Sequence, residues 1–153
     1  MAPQLGRPDL GLDYADRPAA FGIALRDGRV AVVRIEKPDG GAWTDLPGGA
    51  IDPGEDASAA VVREYGEETG LRVAAGEAYA RADQRFINTD GRAYNNRATF
   101  LDVRVLAEAP ELKVEADHTP DWVAPETAVK ILRHEAHAWA VTAWLRRKHR
   151  SGG

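Results

Sequence analysis

The chain has 153 residues, of which 44% are hydrophobic and 29% are charged, the composition of one ordinary globular domain. Its 24 acidic and 20 basic side chains give a formal net charge of −4, which argues against a protein that gains its affinity by covering nucleic-acid phosphates with lysine and arginine. The sequence contains no cysteine and no run of about 18 apolar residues, which excludes thiol chemistry, cysteine-based zinc sites and an evident membrane span. We therefore expect a cytoplasmic protein with no membrane partner and no stable nucleic-acid partner.

The predicted elements begin after an extended lead-in over residues 1–18, which is rich in proline, glycine and aspartate and holds no apolar stretch of signal-peptide length. The segments that favour β-strand are 19–25, 30–35, 43–46, 71–75, 79–87, 98–105 and 121–124. The segments that favour helix are 56–69, a stretch that opens at Pro125, and 134–150. Interleaved strands and helices predict one α/β domain over residues 19–150.

The helix predicted over 56–69 has clear end signals. Asp56 or Ser58 can cap its start, and Gly70 stands where a helix would stop. On the terminal helix, Trp139 and Trp144 fall on one apolar stripe and are predicted to be core residues.

Three glutamates of the first helix carry the chemical signal. Glu64, Glu67 and Glu68 stand at i, i+3 and i+4, so they project from one helix face. Like charges at these spacings destabilise a helix by a few tenths of a kcal/mol per pair, and Arg63 is the only basic residue beside them. Such a cluster is often no more than a solvated face, but a hard divalent cation such as Mg²⁺ gives it a function.

The spacing of the residues around these glutamates favours a cation site over a solvated helix face. Residues 49–71 read GAIDPGEDASAAVVREYGEETGL. The segment resembles the Nudix box, GX5EX7REUXEEXGU with U apolar, at every fixed position. Tyr65 occupies a position that is usually aliphatic, and we expect its ring to face the core. Trp43 and the Leu-Pro-Gly-Gly at 46–49 extend the resemblance upstream. The resemblance implies an α/β/α sandwich with a mixed β-sheet between helices.

The resemblance also implies an activity. Nudix enzymes hydrolyse the pyrophosphate linkage of a nucleoside diphosphate joined to another moiety, usually with Mg²⁺, and Mn²⁺ can take its place. By position, Glu67 and Glu68 are the expected main metal ligands, with Glu64 a further ligand or the general base. Arg63 is expected to hold a glutamate in place by a charge-assisted hydrogen bond, and Glu55 to support the metal site from the loop.

Further ligands are expected outside the helix. The resemblance implies the carbonyl of Gly49 and one acid from the loop before the last strand, for which Glu115 and Asp117 are equal candidates. Substrate binding is predicted for a hairpin that would overhang the site, through Arg85, Phe86, Tyr94 and Arg97.

The sequence is also compatible with other functions and sites. Some family relatives are non-catalytic nucleotide-binding or sensor modules, but these often lack box glutamates that this sequence keeps. Hydrolysis of RNA ends is a weaker hypothesis, disfavoured by the net charge. His134 and His137 could suit a metal, but core residues are the stronger interpretation. Because family members are frequently dimers, a homodimer is a further expectation.

Overall fold

A mixed β-sheet organises the computed structural model, which describes the backbone of residues 1–152 and the side chains of residues 1–150. The strands are β1 (Gln4–Leu5), β2 (Ala15–Arg26), β3 (Arg29–Glu36), β4 (Ala42–Asp45), β5 (Gly48–Ala50), β6 (Leu71–Ile87), β7 (Ala93–Glu108) and β8 (His118–Val123). The helices are α1 (Ala57–Thr69), α2 (Pro125–Ile131) and α3 (Glu135–Gly152), with a 3₁₀ turn at Pro110–Leu112.

The strands follow the order β1-β6-β7-β2-β3-β4, with β5 paired to β2 and β8 paired to β3. The β1–β6 and β2–β7 pairs are parallel and the other pairs are antiparallel. Because β5 returns beside β2, the Leu-Pro-Gly-Gly segment lies next to α1, where Gly49 approaches Glu64 and the Gly48 N–H donates to Glu68.

Helices cover both faces of the sheet, as the sequence predicts. On one face α1 buries Val61 and Tyr65 against Leu101 and Val103. The Tyr65 ring is fully buried and its hydroxyl donates to the Gly22 carbonyl at 2.8 Å, which confirms that it faces the core. On the other face α2 and α3 pack over β2 and β7, with Trp144 buried.

Helix α1 has the ends that its sequence predicts. The Asp56 carboxylate accepts the N–H of Ala59 at 2.8 Å, so Asp56 and not Ser58 is the N-cap. Gly70 ends the helix at φ 70°, a backbone angle that glycine adopts without strain.

Three elements differ from the sequence-based expectation. Residues 1–18 contain β1 and the start of β2, because their backbone pairs with distant strands and Gln4 exchanges two side-chain hydrogen bonds with Asn95. The segments predicted at 71–75 and 79–87 form one strand, β6, whose pairing with β7 shifts register between Ala75 and Ala80. The prediction of a core position for Trp139 is wrong, since this side chain is 37% exposed.

Within the described part of the chain, no helix combines the length and the apolar character that crossing a membrane requires.

Candidate active site

Two glycines bring the loop before α1 into contact with the glutamate face. Gly48 has φ 147°, and a Cβ there would lie 2.2 Å from the carbonyl oxygen of Ala20. A Cβ on Gly49 would lie 3.0 Å from Oε1 of Glu64. The absence of both side chains therefore allows β5 to pack directly against β2 and Glu64.

Arg63 donates hydrogen bonds to three carboxylates, which together with it form an ion-pair cluster. Its Nε and Nη2 donate to the two oxygens of Glu55, at 2.8 and 2.9 Å, while Nη2 also donates to the Ala50 carbonyl at 3.1 Å. Its Nη1 donates to Glu64 at 3.0 Å and to Glu67 at 3.3 Å. One guanidinium thus offsets the repulsion among three carboxylates.

The ionisation of Glu55 follows from this contact. The hydrogen bond from Arg63, together with the backbone N–H of Asp52, lowers the pKa of Glu55 to about 2. The same carboxylates raise the pKa of Arg63, chiefly through the Glu55 hydrogen bond. The ion pair is therefore fully charged at neutral pH.

Glu68 is the box glutamate that lacks such a partner. Its side chain is 7% exposed, and Oε1 accepts the N–H of Gly48 at 3.1 Å. Among the described side chains, no lysine or arginine nitrogen lies within 4.0 Å of this carboxylate. Burial, with the nearby charge of Glu64, raises the pKa of Glu68 well above its ordinary value. A buried carboxylate in this state fits a divalent cation, which would supply the missing positive charge.

The loop before β8 and the first residue of β8 together contribute three more candidate ligands. Backbone N–H groups of Val114 and Glu115 donate to the Glu67 carbonyl at 3.0 and 3.1 Å, which fixes the loop against α1. Ligand atoms of Glu115, Asp117 and His118 lie within 4.8 Å of one another.

His118 connects this loop to α1. Its Nδ1 lies 2.8 Å from Oδ1 of Asp117, and its Nε2 lies 3.7 Å from Oε2 of Glu68. The hydrogen bond with His118 lowers the pKa of Asp117. Both loop acids that the sequence nominates, Glu115 and Asp117, therefore lie at the glutamate face.

A cleft of about 320 Å³ opens beside these carboxylates. Its acidic lining includes Glu64, Glu68 and the loop residues. Arg17 and Arg133 also line the cleft, and their guanidinium carbons lie 5.2 and 5.8 Å from the centre of the Phe86 ring. The cleft therefore contains carboxylates, guanidinium groups and an aromatic ring.

The two arginines are held differently. Arg133 donates twice to the buried Asp45, at 3.1 and 2.6 Å, and its guanidinium carbon lies 4.2 Å from the centre of the Trp43 ring. Arg17 donates through Nε to Asn96 at 2.8 Å and is paired with no carboxylate within the described residues. Burial lowers the pKa of Arg17. An anion in the cleft would compensate this charge.

The structure brings together some of the predicted site residues and separates others. Those that line the cleft are Gly49, Glu64, Glu68, Phe86, Glu115 and Asp117. Glu55, Arg63 and Glu67 are not among the lining residues and belong to the adjoining ion-pair cluster, which also includes Glu64. Tyr94 packs against Arg17, 4.9 Å from its guanidinium carbon, and lies behind Phe86.

Two predicted substrate residues lie outside the cleft lining. Arg85 donates to the Gly6 carbonyl at 3.3 Å, and Arg97 binds Asp16 and Asp83. Strand alternation directs these side chains away from Phe86. Sequence reasoning missed Arg17, Arg133 and His118 as cleft residues. Of these three residues, only His118 could have been found from the sequence, because it directly follows the candidate ligand Asp117.

A larger cavity of about 630 Å³ lies toward the far end of β2, beside Trp144 and Lys148. Among the described residues that line it, Asp102 is the only carboxylate, and it is engaged by the Trp144 indole N–H at 2.7 Å. This cavity therefore lacks the clustered carboxylates that line the smaller cleft.

Comparison with known proteins agrees with this geometry. A family model for the NUDIX domain matches residues 16–145. An RNA pyrophosphohydrolase of Sphingopyxis alaskensis is 43% identical over 106 residues, which cover 63% of this chain and 66% of that protein, slightly less than two thirds of its length. An RNA pyrophosphohydrolase of Novosphingobium aromaticivorans is 32% identical over 135 residues, which cover 76% of this chain and 81% of that protein.

A likeness in fold is found with a solved structure, a NUDIX hydrolase from Nitrosomonas europaea. The TM-score is 0.74 at 16% identity, over 87% of this chain and 90% of that one. The mixed sheet with helices on both faces is thus a fold that this hydrolase shares.

Proposed function

The chain belongs to the NUDIX family of hydrolases, and from that premise we propose that it is a Mg²⁺-dependent enzyme that hydrolyses the pyrophosphate linkage of a nucleoside diphosphate derivative. The candidate substrates are nucleoside triphosphates, dinucleoside polyphosphates and nucleotide sugars. The observation that carries this proposal is the buried carboxylate of Glu68, which has no lysine or arginine partner among the described side chains and shares one cleft with Glu64, Arg17 and Arg133.

Each group of residues has a task in this reaction. Glu64, Glu67 and Glu68, with an acid from the loop before β8, would hold the cation. A bound divalent cation neutralises phosphate charge and activates water for attack on phosphorus. Arg63 keeps Glu64 and Glu67 oriented through its hydrogen bonds of 3.0 and 3.3 Å.

Three other residues that line the cleft would bind the rest of the substrate. Arg17 and Arg133 present guanidinium groups that favour phosphate or another anionic group. Phe86 offers a ring face on which a nucleobase can stack, and both guanidinium carbons lie within 6 Å of its centre.

A 5′-triphosphorylated RNA is a second candidate substrate. Two relatives that resemble this chain are RNA pyrophosphohydrolases, and the Arg17 guanidinium, which has no carboxylate partner among the described residues, suits a substrate rich in negative charge. The net charge of −4 favours small nucleotides over a long nucleic-acid contact.

A substrate panel tests this function. Purified protein is incubated with Mg²⁺ and, separately, a nucleoside triphosphate, a dinucleoside polyphosphate, a nucleotide sugar and a 5′-triphosphorylated oligoribonucleotide, and the released phosphate and pyrophosphate are measured. We expect cleavage of at least one class, abolished by chelation and restored by Mg²⁺. Tight binding without turnover of any class would instead support a non-catalytic nucleotide-binding module.

A further inference from the structure

His118 contacts a carboxylate on each side of its ring and has no task in the reaction proposed above. Nδ1 lies 2.8 Å from Oδ1 of Asp117, and Nε2 lies 3.7 Å from Oε2 of Glu68. The imidazole is 15% exposed and the Glu68 side chain is 7% exposed. The ring therefore lies between Asp117 of the loop and Glu68 of α1, among the residues that line the cleft.

The two distances imply two different interactions. A separation of 2.8 Å is an ordinary hydrogen bond, whereas 3.7 Å is longer than one. Two atoms that ligate the same small divalent cation, each about 2.0–2.2 Å from it, lie roughly 3–4 Å apart. The space between Nε2 and Oε2 thus has the width of a shared cation.

The Asp117 contact also selects the reactive nitrogen. When a carboxylate accepts Nδ1–H, the neutral ring carries its lone pair on Nε2, the arrangement found where a histidine ligates a metal and a carboxylate orients it. The ring is also fixed through its backbone, because the His118 N–H donates to the Glu115 carbonyl at 3.2 Å and β8 begins at this residue, paired with Ile35.

We propose that His118 Nε2 is a nitrogen ligand of the cation held by Glu68, and that Asp117 orients the ring. This rests on the proposed function for the presence of a divalent cation at Glu68. A site of carboxylates alone suits Mg²⁺, whereas an imidazole ligand increases affinity for cations such as Co²⁺. His118 therefore sets the metal preference of the cleft.

Metal titration of four proteins tests the assignment. Co²⁺ and Mg²⁺ are each titrated calorimetrically into metal-free wild type, His118→Gln, Asp117→Asn and His149→Gln. His149 is an exposed histidine on α3, so its variant is the matched control. We expect His118→Gln to weaken Co²⁺ binding by at least about 10-fold and Mg²⁺ binding by less than about 3-fold. Asp117→Asn should lower the ratio of Co²⁺ to Mg²⁺ affinity in the same direction as His118→Gln. Removal of a carboxylate that orients a metal ligand costs about 10–100-fold in metal affinity.

A spectroscopic measurement identifies the nitrogen directly. In pulsed electron paramagnetic resonance of the Mn²⁺-loaded proteins, we expect a ¹⁴N coupling in wild type and His149→Gln that His118→Gln lacks. If His118→Gln does not fold, as judged by thermal unfolding, the Asp117→Asn titration decides.

Two results would overturn the assignment: an unchanged ratio of Co²⁺ to Mg²⁺ affinity in His118→Gln, or an equal loss of both metals in Asp117→Asn, which would make Asp117 itself a ligand. These failures differ from failure of the proposed function. If wild type cleaves a substrate of the panel but His118→Gln leaves the ratio of Co²⁺ to Mg²⁺ affinity unchanged, only the role of His118 is refuted. If His118→Gln changes this ratio as expected but wild type cleaves no substrate, only the proposed hydrolase function is refuted.

Discussion

Arg63 and Glu55 are joined by two parallel hydrogen bonds, from Nε to Oε2 at 2.8 Å and from Nη2 to Oε1 at 2.9 Å. The pair spans the turn that leads into α1 and leaves Nη1 for Glu64 and Glu67. The planar fork of a guanidinium makes these contacts together, which a lysine ammonium does not.

Arg63→Lys is therefore expected to disturb the site although it keeps the charge. Without the fork, Glu64 and Glu67 lose their common donor. We predict that kcat/KM falls at least about 10-fold and that half-maximal activity requires more Mg²⁺, as for the loss of an orienting partner of a metal ligand. Steady-state kinetics against Mg²⁺ concentration measures both. Arg72→Lys is the control, since Arg72 is exposed and its one ion pair among the described residues, with Glu111, is long at 4.0 Å. Wild-type kinetics in Arg63→Lys would contradict the role of the fork.

Arg17 gives a second prediction. Its guanidinium lines the cleft and is positioned by Asn96 and by the rings of Phe86 and Tyr94. Arg17→Gln should raise KM at least about 10-fold, because a hydrogen bond to a charged group contributes about 1.5–3 kcal/mol. The measurement is KM at saturating Mg²⁺.

Arg29→Gln serves as the control for Arg17→Gln, since Arg29 is exposed and lies outside the residues that line the cleft. An equal KM for the two variants would remove Arg17 from substrate binding.

The buried histidine His137 predicts how stability depends on pH. Burial, assisted by the neighbouring His134, lowers the pKa of His137 from 6.5 to about 3, and Nδ1 accepts the N–H of Leu46 at 3.2 Å. The folded state keeps this ring neutral, whereas the unfolded chain takes up a proton below about pH 6.5. The unfolded state thus binds more protons in acid, so the free energy of unfolding falls as the pH drops from about 6.5 toward 3.

His137→Gln isolates this contribution, because the amide oxygen can still accept the Leu46 N–H. Between about pH 7.5 and about pH 5, wild type should lose about 2 kcal/mol more stability than His137→Gln. Urea unfolding at both pH values measures the difference, and the exposed His149→Gln should behave as wild type. Parallel pH profiles for wild type and His137→Gln would show that the ring is not held neutral by the fold.

Local sequence predicted the parts of the molecule that depend on local spacing. The face formed by Glu64, Glu67 and Glu68 follows from the helical period, and the ends of α1 follow from Asp56 and Gly70. These features need only residues within a few positions of each other, so the sequence was sufficient for them.

The positions of Arg17 and Arg133 in the cleft depend on contacts between residues that are distant in the sequence. Arg17 meets Tyr94 because β2 and β7 pair in parallel, and Arg133 reaches Asp45 across 88 positions. No spacing rule links such residues. The hairpin prediction located Phe86 beside the cleft, but strand alternation turns its neighbour Arg85 toward Gly6.

The central claim is that the buried Glu68 carboxylate exists to hold a divalent cation for pyrophosphate hydrolysis. Glu68→Gln keeps the shape of the side chain and an oxygen for the Gly48 N–H. Since it removes a buried charge without a cationic partner, we expect stability equal to or above that of wild type. Loss of activity would then have no folding explanation.

Turnover of Glu68→Gln at saturating Mg²⁺ is the most direct measurement, with Glu77→Gln as a control because Glu77 is exposed and paired with Arg147. We predict that kcat falls at least about 10²-fold, the scale of losing a group that stabilises developing charge, while Glu77→Gln retains the wild-type rate. A folded Glu68→Gln protein that turns over substrate at a near-wild-type rate would contradict the claim.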